Sequence, residues 1–131
     1  MKIDGLAHVG LFVANAERSA EFYEKNLEFK EIWRVADHNE DGDQLIIFVQ
    51  NGSLVIEIVQ LRHPEVRNDG WFDHLAIKVD DLQTVIEKLK EQDVAFEEGH
   101  YSESAAFFEN GSRWIMFRGP DHERLELNEK L

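Results

Sequence analysis

"GLAHVGLFV" (5–13) and "WFDHLAIKV" (71–79) are the two stretches from which the fold is read. Each is an extended apolar segment that carries a histidine, His8 or His74, among its hydrophobic residues. A single strand histidine is more often a satisfied residue on a half-covered sheet than a ligand. Two in matching surroundings call for an alignment of their downstream segments. With His74 set over His8, 66 residues earlier, "HVGLFVANAERSAEFYEKNLEFKEI" lies over "HLAIKVDDLQTVIEKLKEQDVAFEE". Val9, Leu11 and Val13 fall on Leu75, Ile77 and Val79, and Asn15 falls on Asp81, both favoured helix N-caps. Ala16, Ala20 and Tyr23 fall on Leu82, Ile86 and Leu89, a core-facing helical stripe in each half.

Strand patterns come after each helix. The first half offers 29–35, 44–50 and 53–60, with "NG" at 51–52 as a hairpin signal. The second offers 94–98, 113–118 and 123–128, with "GPDH" (119–122) as the final turn. The stretch 99–112 reads as a short strand or a loop over a pocket. Residues 61–70, with Pro64 and Gly70, read as a linker. The expectation is one α+β domain over 1–131, made of two βαβββ modules, 1–60 and 71–131.

Composition excludes several classes of function. With 27 acidic against 14 basic residues, the net charge of −13 opposes binding to nucleic acid or to an anionic membrane surface. The absence of cysteine removes disulfides, thiolate metal sites and cysteine nucleophiles. No stretch has the pattern of a signal peptide, and no apolar run nears the ~18 residues of a membrane span, so a cytoplasmic location is expected.

The last strand of each half carries a carboxylate in an apolar run: Glu57 in "LVIEIV" and Glu126 in "RLELNE". Side chains alternate along a strand. His8 therefore shares a face with Leu6, Gly10 and Phe12, and Glu57 shares one with Val55 and Val59. In all four cases the His or Glu lies on the face away from the expected helix. A sheet curled around an interior site accounts for both the polar and the apolar residues there, because an interior carboxylate is costly unless paired or metal-bound. Two imidazoles and two carboxylates suit a divalent transition ion. Four such ligands leave either a closed structural tetrahedron or an octahedron with two open positions.

The paired modules, the set His8, Glu57, His74 and Glu126, the opening "HVGLFV…SAEFYEKNLEF" and the closing "FRGPDHERLELNE" resemble the vicinal oxygen chelate superfamily. Its members include glyoxalase I, bleomycin- and fosfomycin-resistance proteins, extradiol dioxygenases and methylmalonyl-CoA epimerase. The resemblance covers essentially the whole chain. It implies a curled mixed sheet around one divalent ion (Ni, Zn, Co or Mn), with two positions for adjacent oxygens of a small-molecule substrate. The four ligands are most similar to those of bacterial-type glyoxalase I. That likeness implies a lyase or isomerase acting on a hemithioacetal-type hydroxy-carbonyl compound through an enediolate, with Glu126 as base and Glu57 as its near-symmetric alternative. One departure bears on the substrate: Phe12 stands where such enzymes commonly place an arginine that meets glutathione. The alternatives are a small-molecule-binding or antibiotic-resistance protein and, behind it, an extradiol-type dioxygenase. A homodimer is expected, its modules paired within one chain or exchanged between two.

Other signals are discounted. "DHNEDGDQLIIF" (37–48) opens like a calcium loop but ends on Phe48 where a bidentate Glu belongs, and it reads as a solvated hairpin loop. His38, His63, His100 and His122 fall in loops or turns, where His100 can approach a pocket. Ser102 and Ser104 lack a nucleophile-elbow context. Trp33, Phe48, Trp71, Trp114 and Phe117 are expected in the core more than on a substrate shelf.

Overall fold

The computed structural model describes residues 1–66 and 68–131. The chain divides into two compact units, Met1–Arg67 and Asn68–Leu131. The first contains β1 (Val9–Phe12), α1 (Ala16–Leu27), β2 (Lys30–Asn39), β3 (Gly42–Asn51) and β4 (Leu54–Gln60). The second contains β5 (Leu75–Lys78), α2 (Leu82–Glu91), β6 (Ser102–Ser104), β7 (Ser112–Arg118) and β8 (Arg124–Lys130). Each unit is an open four-stranded mixed sheet, ordered β1-β4-β3-β2 or β5-β8-β7-β6. The first strand of each runs parallel to the last, and the other pairings are antiparallel. This is the α+β, twice-βαβββ architecture expected from the repeat.

The helices begin where their caps require. The Asn15 side chain accepts from Arg18 N at 3.0 Å, and Asp81 accepts from Thr84 N at 3.1 Å. Each satisfies one of the orphan N–H groups of a first turn. The two stripes are buried: Ala16, Ala20 and Tyr23 in α1, and Leu82, Ile86 and Leu89 in α2. They pack on the apolar sheet face of their own unit, Ile47, Val49, Ile56 and Ile58 in the first, Ile115, Phe117, Leu125 and Leu127 in the second.

Several expectations are corrected. The opening strands are shorter than 5–13 and 71–79, because parallel pairing begins only at Val9 opposite Ile56 and at Leu75 opposite Leu125. His8 and His74 therefore stand one residue before their strands rather than inside them. The "NG" hairpin signal is one residue early. Asn51 still pairs with Leu54, its side-chain amide donates to Leu27 O at 2.8 Å, and the turn falls on Gly52 and Ser53, with Gly52 at φ 57°. Residues 94–98 form a single bridge, Phe96 to Phe117, instead of a strand. There Val94 N is taken by Leu89 O at the helix end, and Glu97 turns outward to Arg118 and Arg124. The second strand of that unit lies inside 99–112, as β6, at the edge of the sheet beside β7. The stretch 37–48 is the expected hairpin, with a two-residue tip between β2 and β3, but His38 lies in β2 rather than in a loop, paired with Asp43 directly opposite. Phe117 is core, Phe48 and Trp114 are half-buried, but Trp33 and Trp71 are exposed, at 67% and 104%.

Candidate metal centre

In the first unit, Ile56 and Ile58 are fully buried on the helix side of β4, so Glu57 between them must face the other way. A second residue enforces this. Gln60, of opposite parity, reaches under the helix and accepts from Ala16 N at 2.9 Å. The second unit repeats the device: Glu129, three residues after Glu126, accepts from Leu82 N at 3.0 Å. In both sheets the polar side chain on the helix side caps the helix, and the carboxylate of the His–Glu set is left on the face away from it.

Glu57 lies opposite Gly10 on β1 and Phe48 on β3. His8 Nε2 is 3.8 Å from Glu57 Oε2, beyond hydrogen-bond reach, and the His8 ring meets Phe48 edge-on at 5.8 Å. Phe12 is on the same face, opposite Val59 and 49% exposed. Exposed apolar side chains continue along this face with Trp33 and Val35 of β2.

The second unit's pair is tighter. His74 Nε2 is 3.1 Å from Glu126 Oε2, and Glu126 is buried, with 8% of its surface accessible. Its other oxygen, Oε1, accepts from Asn128 Nδ2 at 2.7 Å, and Ser112 Oγ donates to Asn128 Oδ1 at 3.1 Å. The serine thereby orients the amide that orients the carboxylate. Behind His74, Asp73 Oδ2 lies 2.8 Å from Nδ1. The hydrogen bond with His74, then that from Arg124, holds the Asp73 carboxyl below its ordinary range. Arg124 is itself raised, first by its bond to Glu97 and then by Asp73.

His8 is thus brought to Glu57, and His74 to Glu126, each within its own unit. Within either unit, the described residues contain no group of three or more His, Asp or Glu side chains arranged to hold a metal ion. Asp73, Arg124, Asn128 and Ser112 do not stand out in the sequence. Asp73 is adjacent to His74 and detectable as its neighbour, whereas the other three are joined to the pair only by strand pairing.

A model of the Glyoxalase/Bleomycin resistance protein/Dioxygenase superfamily matches residues 5–127. The chain belongs to this superfamily. Among its relatives is the uncharacterized protein YwbC of Bacillus subtilis (strain 168), 26% identical over 121 residues, which are 92% of this chain and 93% of that protein. A glyoxalase family protein from Enterococcus faecalis is 25% identical, with a TM-score of 0.76 over 98% of this chain and 100% of the other. The fosfomycin resistance protein FosX from Listeria monocytogenes, solved with Mn(II) and sulfate, is 18% identical, with a TM-score of 0.73 over 99% of this chain and 95% of the other. That last likeness is one of fold. Within each module of this superfamily member, the last strand and the first lie side by side and in parallel. This places Glu57 beside Gly10 and Glu126 beside Ala76, each near the mouth of the strand where its histidine stands.

Proposed function

We propose that this superfamily member is a metal-dependent lyase or isomerase of the glyoxalase I type, acting on a small hydroxy-carbonyl compound such as a hemithioacetal. His8, Glu57, His74 and Glu126 would hold one divalent cation (Ni, Zn, Co or Mn). The observation that carries the reading is the recurrence of one His–Glu pair on the helix-averted face of each unit, at 3.8 and 3.1 Å. The donor chemistry fits: two imidazoles and two carboxylates suit a borderline divalent ion. A carboxylate on the far nitrogen of His74 is the usual companion of a ligating histidine. The FosX structure makes Mn(II) one of the ions to test.

When bound, the cation supplies Lewis-acid stabilisation of negative charge developing on adjacent substrate oxygens. The remaining work is the chain's own. Glu126 takes the proton from the carbon acid and returns it at the neighbouring carbon. Asn128 and Ser112 orient Glu126 for this, which favours it over Glu57, for which no such relay exists among the described residues. Phe12 lines the substrate side of the first unit. Lacking the guanidinium that would meet a carboxylate, it favours a less anionic thiol adduct than that of glutathione.

Elemental analysis of the purified protein is expected to find stoichiometric divalent metal, and His74→Ala is expected to lose it. Metal content unchanged by His74→Ala would remove the residue from the site. A binding or resistance protein is the second reading, favoured by the aromatic character of Phe12 and Trp33; a chelator would then leave small-molecule affinity intact.

We also propose a homodimer. The open face of the first unit exposes Trp33 and Val35, neighbouring apolar side chains of the kind that a second protein face covers. A module face from the same chain or from a second copy would cover it. Light scattering at micromolar concentration is expected to return twice the 15.3 kDa chain mass, and a monomeric mass would contradict the assembly.

A further inference from the structure

We propose that Asp73 is a positioning residue for His74 and that it makes the second unit the tighter-holding half of the metal centre. The inference rests on the metal reading above. Asp73 Oδ2, 2.8 Å from His74 Nδ1, also accepts from Arg124 Nη1 at 2.6 Å. Arg124 is held in turn by Glu97, through Nε and Nη2 at 3.0 Å each. Isolated surface ion pairs contribute little, but forked, multiply bonded arginine networks keep their geometry. The restraint matters because residues 68–74 have no regular secondary structure before β5 begins. Arg118 ties the start of this segment through Asp69, at 2.6 and 3.0 Å, and Arg124 ties its end through Asp73.

With a cation bound, a carboxylate at Nδ1 would hold the ring proton there and leave Nε2, the nitrogen that faces Glu126, as the electron-pair donor, in a ring already turned to present it. Among the described residues, the first unit has no equivalent. Ala7 occupies the position that corresponds to Asp73, and His8 stands 3.8 Å from Glu57 with Phe48 against its ring. Two halves that match in their ligands are therefore unmatched in the support behind them.

The test is affinity for Zn(II), measured by competition with a chromogenic chelator. Asp73→Ala is expected to bind about 10–100-fold more weakly than wild type. Arg113→Ala, which breaks an ion pair with Glu103 away from His74, is expected to bind as wild type does. His74→Ala is expected to lose more affinity than His8→Ala. If Asp73→Ala does not fold, Asp73→Asn, which keeps the shape and an oxygen acceptor but drops the charge, carries the same test. Long-range proton–nitrogen spectra of the Zn-loaded wild type are expected to show His74 protonated at Nδ1. Wild-type affinity in the Asp73 variants, equal losses from the two histidines, or a proton on Nε2 would each overturn the inference while leaving the metal reading standing. A wild-type protein that does not take up Zn(II) would overturn both.

Discussion

Glu126→Gln is expected to keep most of its metal and to lose turnover by about 10²–10⁴-fold, the usual contribution of a positioned general base. The substitution conserves shape. Glutamine retains one oxygen that can still meet Asn128 Nδ2, so the relay from Ser112 through Asn128 has a partner, and the burial of the position is unchanged. What disappears is the second anionic oxygen, now near His74 Nε2, and with it the capacity to receive a proton from carbon. Paired measurements of metal content and of turnover on a hemithioacetal check this. Lost turnover with retained metal supports the base assignment. Unchanged turnover would transfer that role to Glu57 or end the lyase reading.

Phe117→Ala is expected to have the largest effect on stability. Phe117 is fully buried in β7, opposite Leu125 in β8, and its ring meets Phe96 at 5.7 Å between centroids. Removing it leaves a cavity in the apolar layer between sheet and helix, and also takes away the ring against which the 94–98 segment rests. Phe→Ala at such positions costs about 3–5 kcal/mol. Against a typical total of about 5–15 kcal/mol, this is a large fraction. A melting point lower by on the order of 10–20 °C, monitored by circular dichroism, is the expected result. A shift of only a few degrees would mean that the second unit's core collapses around the gap or that Phe117 carries less of the packing than its burial implies.

The unevenness of what the sequence reveals has a physical pattern. Tyr23 and Leu89 are legible as core because helical periodicity repeats within a few residues, and the caps Asn15 and Asp81 because an N-cap bonds three residues ahead. Trp33 is not where its hydrophobicity would put it. An indole prefers cover, but that preference does not say whether this chain's own unit supplies it. The strand expected at 94–98 fails for a related reason: its pattern competes with helix capping at Val94 and with two arginines that draw Glu97 outward.

By itself, the amino-acid order determined the repeat, the strand–helix–strands plan of each half, and the side of the sheet on which His8, Glu57, His74 and Glu126 fall. All of these derive from periods of 2 and 3.6 residues and from a self-match at one offset. Only the tertiary structure decided where pairing starts, and hence that both histidines stand at the mouths of their strands. It alone decided that Gln60 and Glu129 reach back to cap helices 44 and 47 residues away, and that Arg124 braces Asp73 from 51 residues downstream. Those contacts join residues that no local period relates. Their partners are chosen by the register of strands, which is set by the packing of each unit as a whole.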